Sequence, residues 1–213
     1  MSDFNNCEYE NNENMTAAES SVKPDDSKSD KKQSVLSEIA DYAELIAFAL
    51  LFVIIALTFV FRMCTIDGDS MVDTLHNGER IIVSDFLYTP ERGDIVVLHQ
   101  TGDNYNKPLV KRVIGVAGDT VRINHDTNEI VVTDSDGNSE ILSQDYLTLI
   151  GDQLYHGTTT YYVPEGSLFV LGDNRNQSLD SRNMYDIGYV DSRRVLGKAI
   201  FRISPVNKFG VIK

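Results

Sequence analysis

Leu45 to Phe61 is the one long apolar run in the chain, about 17 residues without a charged side chain, near the lower end of what spans a bilayer. It stops at Arg62, and only a few residues further on comes a short polar loop, Gly68-Asp69-Ser70-Met71-Val72-Asp73-Thr74-Leu75. A fully extended chain covers at most ~3.6 Å per residue, which tethers Ser70 within roughly 30 Å of the end of the run whatever the fold beyond it. If the run lies in a membrane, a hydroxyl nucleophile held there suits a substrate that is itself in the membrane. A buried core helix is the alternative, but the preceding tail offers no apolar surface to pack around one.

That tail, Met1 to about Gln33, is rich in Asn, Ser, Asp, Glu and Lys. It cannot bury enough surface to offset its ordering entropy and is expected to be disordered. Its start is acidic rather than basic, it is long, and no small-x-small site follows the apolar run, so the run is expected to be an uncleaved anchor rather than an export signal. The expected layout is a disordered acidic tail over 1–41, a transmembrane helix over 42–62 and one well-buried domain over 63–213. Lys31 and Lys32 precede the span and Arg62 stands alone after it. Only Lys and Arg count in setting orientation, and the small bias favours a cytoplasmic N-terminus and an extracytoplasmic domain. The formal charge of -13 argues against nucleic acid as a partner, since phosphate backbones are bound by clustered Lys and Arg. The two cysteines, Cys7 and Cys64, make no disulfide framework, and Cys64 is expected to be an interface residue without redox or metal chemistry.

Beyond the loop the pattern is short β-branched runs bounded by Gly, Asp or Pro, which predict strands. They fall at Arg80–Val83, Asp94–Leu98, Leu109–Ile114, Tyr161–Val163, Ser167–Leu171 and Lys198–Ile203. Thr120–Asn124 and Glu129–Thr133 flank a polar turn and predict a hairpin. A helical period is suggested only around Ser143–Leu149. The domain is therefore expected to be mostly β, with an insertion over about 121–166, richer in Asp, Asn, Thr and Tyr.

No metal-ligand spacing is present. His76, His99, His125 and His156 are scattered, and each is expected to be a surface or packing residue. Phosphate-cradling motifs and Gly-x-Ser-x-Gly are absent. Ser70 alone is an ordinary turn serine. Lys111 is less ordinary, because in Leu109-Val110-Lys111-Arg112-Val113-Ile114 one of Lys111 and Arg112 must point to the apolar face of a strand. Apolar surroundings disfavour the charged form of a lysine, and a neutral amine can take the proton of a serine hydroxyl. Ser-Lys is a known variant of triad logic.

Three blocks in register behind the apolar run, Gly68–Leu75, Lys111–Asp119 and Gly172–Arg182, together with Gly93-Asp94-Ile95-Val96-Val97, Gly188-Tyr189-Val190 and Gly197-Lys198-Ala199, resemble the type I signal peptidases, the bacterial leader peptidases, over about residues 44–204. The resemblance implies a membrane-anchored, mostly β peptidase domain preceded by one transmembrane helix. It also implies a serine endopeptidase activity that removes signal peptides from exported preproteins without a cofactor. Its partners would be those signal peptides and the lipid bilayer. Carried over, Ser70 is the nucleophile, Lys111 the general base, and Ser178 the group that orients the Lys111 amine. Asp180 and Arg182, with Arg112, are a buried ion-pair group, and Met71 is a substrate-binding position. The backbone N–H of Ser70 contributes to the oxyanion hole, and Gly68 stands where some members carry a serine as second donor.

The chain departs from the family pattern at Asp73 and Ala117, where Pro is usual, and at Asn176-Gln177, where Asp-Asn is usual. An Asp73 carboxylate reaching Lys111 would hold the ammonium form and impair the base; facing solvent, it would be a turn residue. The alternatives are an anchored homologue that binds signal peptides without cutting, and a Ser/Lys self-cleaving peptidase, whose relatives carry a DNA-binding domain in place of the span.

Overall fold

A computed structural model describes residues 27–99, 108–147 and 152–212. The disordered tail expected for residues 1–26 lies outside the described residues. Two compact units divide the chain, Met1–Leu51 and Phe52–Lys213. Among the described residues one long helix, α1 (Ser27–Val60), precedes twelve strands. It begins upstream of the sequence-based boundary at residue 42 and gives way at Phe61 to strand β1 (Phe61–Thr65). Over residues 45–55 it shows no preferred face: side chains at successive positions, from Leu45 and Ile46 through Phe52 to Ile55, are all exposed. Among the described residues no helix is long and apolar enough to cross a membrane. The uncharged part of α1, residues 45–60, rises about 24 Å against a hydrocarbon core of about 30 Å.

The second unit is mostly β. β2 (Arg80–Ser84), β3 (Ile95–His99), β4 (Pro108–Gly115), β9 (Ser167–Leu171), β10 (Val190–Asp191), β11 (Val195–Ser204) and β12 (Gly210–Val211) join β1 in one antiparallel sheet, ordered β1-β2-β11-β3-β4-β9-β10, with β12 also on β11. β5 (Thr120–Asn124), β6 (Glu129–Thr133), β7 (Ser139–Ile141) and β8 (Thr158–Tyr162) form a second sheet, ordered β7-β6-β5-β8. This second sheet falls in the stretch where composition predicts an insertion, and its β5–β6 hairpin pairs Thr120 with Thr133 through Asn124 with Glu129. The helix suggested around Ser143–Leu149 is not formed: residues 142–147 are irregular chain with a turn at Asp145–Tyr146, and Thr148 onward falls outside the described residues. Only Leu142 packs on a core there, too little to fix an amphipathic face.

Around β3 and the second half of β4 both faces of the main sheet are covered. Along β3, Ile95 and Val97 enter a core with Ile66, Met71, Leu75, Ile81 and Val83, whereas Val96 and Leu98 enter another with Val113, Leu168, Val170 and Val190. That explains why β3 reads as an unbroken apolar run rather than an alternating one. A third core, around Ile114, Val121, Ile123, Ile130, Val132, Phe169 and Leu171, joins the insertion to β4 and β9. β4 thus touches all three cores, through Val110, Val113 and Ile114, and leaves no solvent face for the two cations in its middle.

Candidate active site

Lys111 and Arg112 are accordingly both buried, at 2% and 4% exposure; the expectation that one of them faces apolar surroundings applies to both. Each solves the problem differently. Arg112 is neutralised: its Nε and Nη2 donate to Asp173 at 2.9 and 2.8 Å, and Nη1 donates to the Gly93 carbonyl at 2.8 Å. The Tyr146 ring covers its guanidinium at 4.0 Å. Among the described residues Lys111 has no ion pair with a carboxylate. Its Nζ donates to Ser70 Oγ at 2.7 Å and to the Val110 carbonyl at 3.1 Å. Burial pushes its pKa down from 10.5 to about 8, opposed by the fields of Asp180 and Asp173 and helped by that of Arg182.

Ser70 is held by a loop closed at its base, where Ile66 N donates to Glu79 O and Gly78 N to Ile66 O. Gly68 turns the chain with φ of 105°, and its N–H is capped by Asn77 Oδ1 at 3.1 Å. A single turn then places Met71 and Leu75 in the core, with Leu75 N donating to Met71 O at 2.8 Å. Met71 is a core anchor that also borders the pocket beside Ser70. The segment after β9 clasps this loop. Asn174 donates from its N to Ser70 O at 3.0 Å and from Nδ2 to Asp69 O at 3.1 Å, while Thr74 Oγ1 donates to Asp173 at 2.5 Å. A Cβ on Gly172 would stand 2.5 Å from the Ser70 carbonyl oxygen and collide with Ser178, so only glycine lets the segments approach.

Asp180 accepts from Gly172 N at 3.1 Å and from Arg182 Nε at 2.8 Å. Ser178 Oγ is buried and has no hydrogen-bond partner among the described residues. It is packed against Gly172 rather than bonded to the Lys111 amine. Among the described residues Arg112 is bonded to Asp173, and Arg182 to Asp180. Asp73 is exposed and is not among the charges that act on Lys111. Three contributors were not singled out from sequence: Asp173, Asn174 and Thr74. All three stand inside the blocks Gly68–Leu75 and Gly172–Arg182 without a role of their own there, and a Gly-Asp-Asn triplet after an apolar strand is a signal that such a clasp leaves.

Ser70 and Lys111 open onto a pocket of about 140 Å3 lined by Cys64–Gly68, Met71 and Pro108–Val110. Cys64 is half-buried there, and burial raises its thiol pKa. The described signal peptidase family, peptidase S26, matches residues 39–204.

The chain belongs to that family.

Signal peptidase I of Bacillus licheniformis is 36% identical over 84% of this chain and 96% of its own. Signal peptidase I S of Bacillus subtilis is 34% identical over 84% and 94%. Signal peptidase I of Leptolyngbya laminosa is 36% identical over 72% and 73%. The chain is therefore a peptidase, a hydrolase of the signal peptidase class. The matched region includes Ser70, Lys111 and the whole insertion.

Proposed function

We propose that the protein is a membrane-bound serine endopeptidase that removes signal peptides from exported preproteins with a Ser70/Lys111 dyad. The observation that carries this reading is the 2.7 Å approach of Lys111 Nζ to Ser70 Oγ in a buried setting that favours the neutral amine. The Lys111 lone pair takes the Ser70 proton as Oγ attacks the scissile carbonyl carbon. The carbonyl π electrons move onto oxygen, and the Ser70 N–H, with a further donor near Gly68, stabilises that oxyanion. Collapse breaks the C–N bond, and the Lys111 ammonium returns its proton to the leaving amine. Water, deprotonated by Lys111, then hydrolyses the acyl-enzyme. No cofactor enters. Ser178 keeps its proposed role of orienting the amine, which from its observed place requires a rotation of its side chain or a bridging water.

The substrate segment is extended. β1 is an edge strand, and its outer backbone groups are open to an added strand; the pocket walled by Cys64, Ile66 and Val110 has room for small side chains. The anchor is α1, with the N-terminus cytoplasmic and the β domain outside. Its apolar side chains point outward on every side, as in helices buried in lipid. A span a few residues short is met by local thinning of the bilayer and by snorkelling of flanking side chains. The exposed Asp73 favours an active enzyme over an impaired binding homologue. Cleavage of a preprotein in vesicles carrying the full chain, lost in Ser70→Ala with the domain still folded, tests the proposal; unchanged cleavage in that variant removes it.

A further inference from the structure

Behind the Ser70–Lys111 pair runs a buried charge network that continues into the insertion. Arg182, 4% exposed, donates Nε and Nη2 to Asp180 at 2.8 and 2.9 Å and Nη2 to the Arg175 carbonyl at 2.8 Å. Its remaining nitrogen, Nη1, donates to Asp152 Oδ2. Asp152 comes from the irregular chain before β8 and is itself 4% exposed. Its Oδ1 accepts from Leu154 N at 2.9 Å and Tyr155 N at 3.3 Å, which fixes the carboxylate. Oδ2 also faces His125 Nδ1 at 3.3 Å. A carboxylate only accepts, so Nδ1 carries the imidazole proton. His125 is 1% exposed, its ring tilted by 30° against that of Tyr155 at 5.4 Å, and its Nε2 has no partner among the described residues. A second proton there would be a buried donor with nothing to bond, which keeps the ring neutral. Tyr155 also lies 5.1 Å from the Arg182 guanidinium.

We propose that Asp152, braced by His125, is a positioning residue for the Ser70–Lys111 pair, acting from the insertion through Arg182. The inference rests on Lys111 being the base. Asp152 and Asp180 hold Arg182 between them, and Asp180 in turn receives Gly172 N, the residue that packs directly against the Ser70 carbonyl. Arg182 and Asp180 act on Lys111 with opposite signs, and Asp173, already paired to Arg112, adds a second negative field. The insertion thereby sets both where the clasp sits and how much positive charge the base sees. Without the Asp152 charge, Arg182 is less neutralised, and a less neutralised cation disfavours the ammonium form of Lys111.

The test uses the full chain in detergent, with two readouts: the pH profile of signal-peptide cleavage and the NMR titration of the Lys111 Cε carbon. Wild type and Lys111→Ala are measured alongside: a pH limb that persists in Lys111→Ala removes the reading of the base and this inference with it, whereas the Asp152 variants test the inference with that reading intact. In Asp152→Asn the expected result is a lower kcat at unchanged KM, since Asp152 lies away from the pocket lining. The limb and the Lys111 titration are expected to move together toward acid by about half a pH unit, the scale of one charge acting across a protein interior. Asp152→Glu keeps the charge and should restore the midpoint. Asp152→Ser, smaller and equally neutral, repeats the measurement if Asn does not pack. A folded neutral variant whose Lys111 titrates as in wild type overturns the proposal, as does a midpoint that moves equally in Asp152→Glu.

Discussion

Lys111 Nζ sits 2.7 Å from Ser70 Oγ while Asp173 and Asp180, the carboxylates whose fields act on it, are each bonded to an arginine. A cation adjoining a carboxylate would stay charged; one kept from it and buried is released toward the neutral form. The two arginines therefore serve the base indirectly, by occupying the anions around it.

If the pair acts as one unit, Ser70→Ala and Lys111→Ala each abolish cleavage, and the double variant is no slower than either single one. Lys111→Arg is inactive as well, because a guanidinium keeps its proton in proteins. Single-turnover rates on a signal-peptide substrate check this, and activity in Lys111→Arg would remove the lysine from the mechanism.

The depressed pKa carries a signed consequence for both rate and stability. Cleavage should increase with pH through about 8 as the amine loses its proton. For stability, the unfolded lysine holds its proton up to about 10.5, whereas the folded one releases it near 8. Between those values the unfolded state binds more protons, so this group's contribution to stability rises with pH across that window. Below it the buried ammonium is a net burden of about 2–4 kcal/mol. Lys111→Met is therefore expected to raise Tm at pH 6–7 and to lose that advantage above pH 10. A Tm difference that does not depend on pH would show that the lysine is not destabilised by its charge.

Asp73, where the family usually has Pro, is expected to be silent toward the base. Its carboxylate is exposed and does not act on Lys111. Asp73→Asn should leave the pH limb where it is and change kcat/KM by less than about threefold, as surface substitutions change stability by only about 0.5 kcal/mol. A limb moved toward acid would mean that the carboxylate reaches Lys111 during turnover.

The strands were legible in the sequence because β-branched runs sit between Gly, Asp and Pro, and the β5–β6 hairpin has the two predicted segments. Lys111 was noticeable for the same reason: a cation amid Leu109, Val110, Val113 and Ile114 violates the local pattern. What stayed hidden depends on pairing between distant segments. Arg112 meets Asp173 across 61 positions, and neither residue marks the other locally. His125 lies in a polar turn that reads as surface, yet Asp152, Tyr155 and Gly157 close over it. The irregular chain at 142–147 carries apolar residues at a spacing that mimics a helix but buries too few of them to form one.

Gly172→Ala tests whether the clasp holds the nucleophile in place. The added methyl has no free space: it meets the Ser70 carbonyl oxygen at 2.5 Å and the Ser178 side chain. Ser178 is able to rotate, but the Ser70 carbonyl is backbone and already accepts from Asn174 N. The loop carrying Ser70 must therefore shift by a few tenths of an ångström to about 1 Å, and such a displacement costs about a hundredfold in rate when reacting atoms depend on it. The expected outcome is a folded domain whose kcat falls by about that factor while Lys111→Met still stabilises it at neutral pH, because the buried lysine has not moved. Asn174→Ala, which removes only the side-chain bond to Asp69 O at 3.1 Å, should cost far less, since the backbone bond to Ser70 remains. Wild-type kcat in Gly172→Ala would mean that the Ser70 loop is positioned by its own core anchors, Met71 and Leu75, without help from the segment after β9.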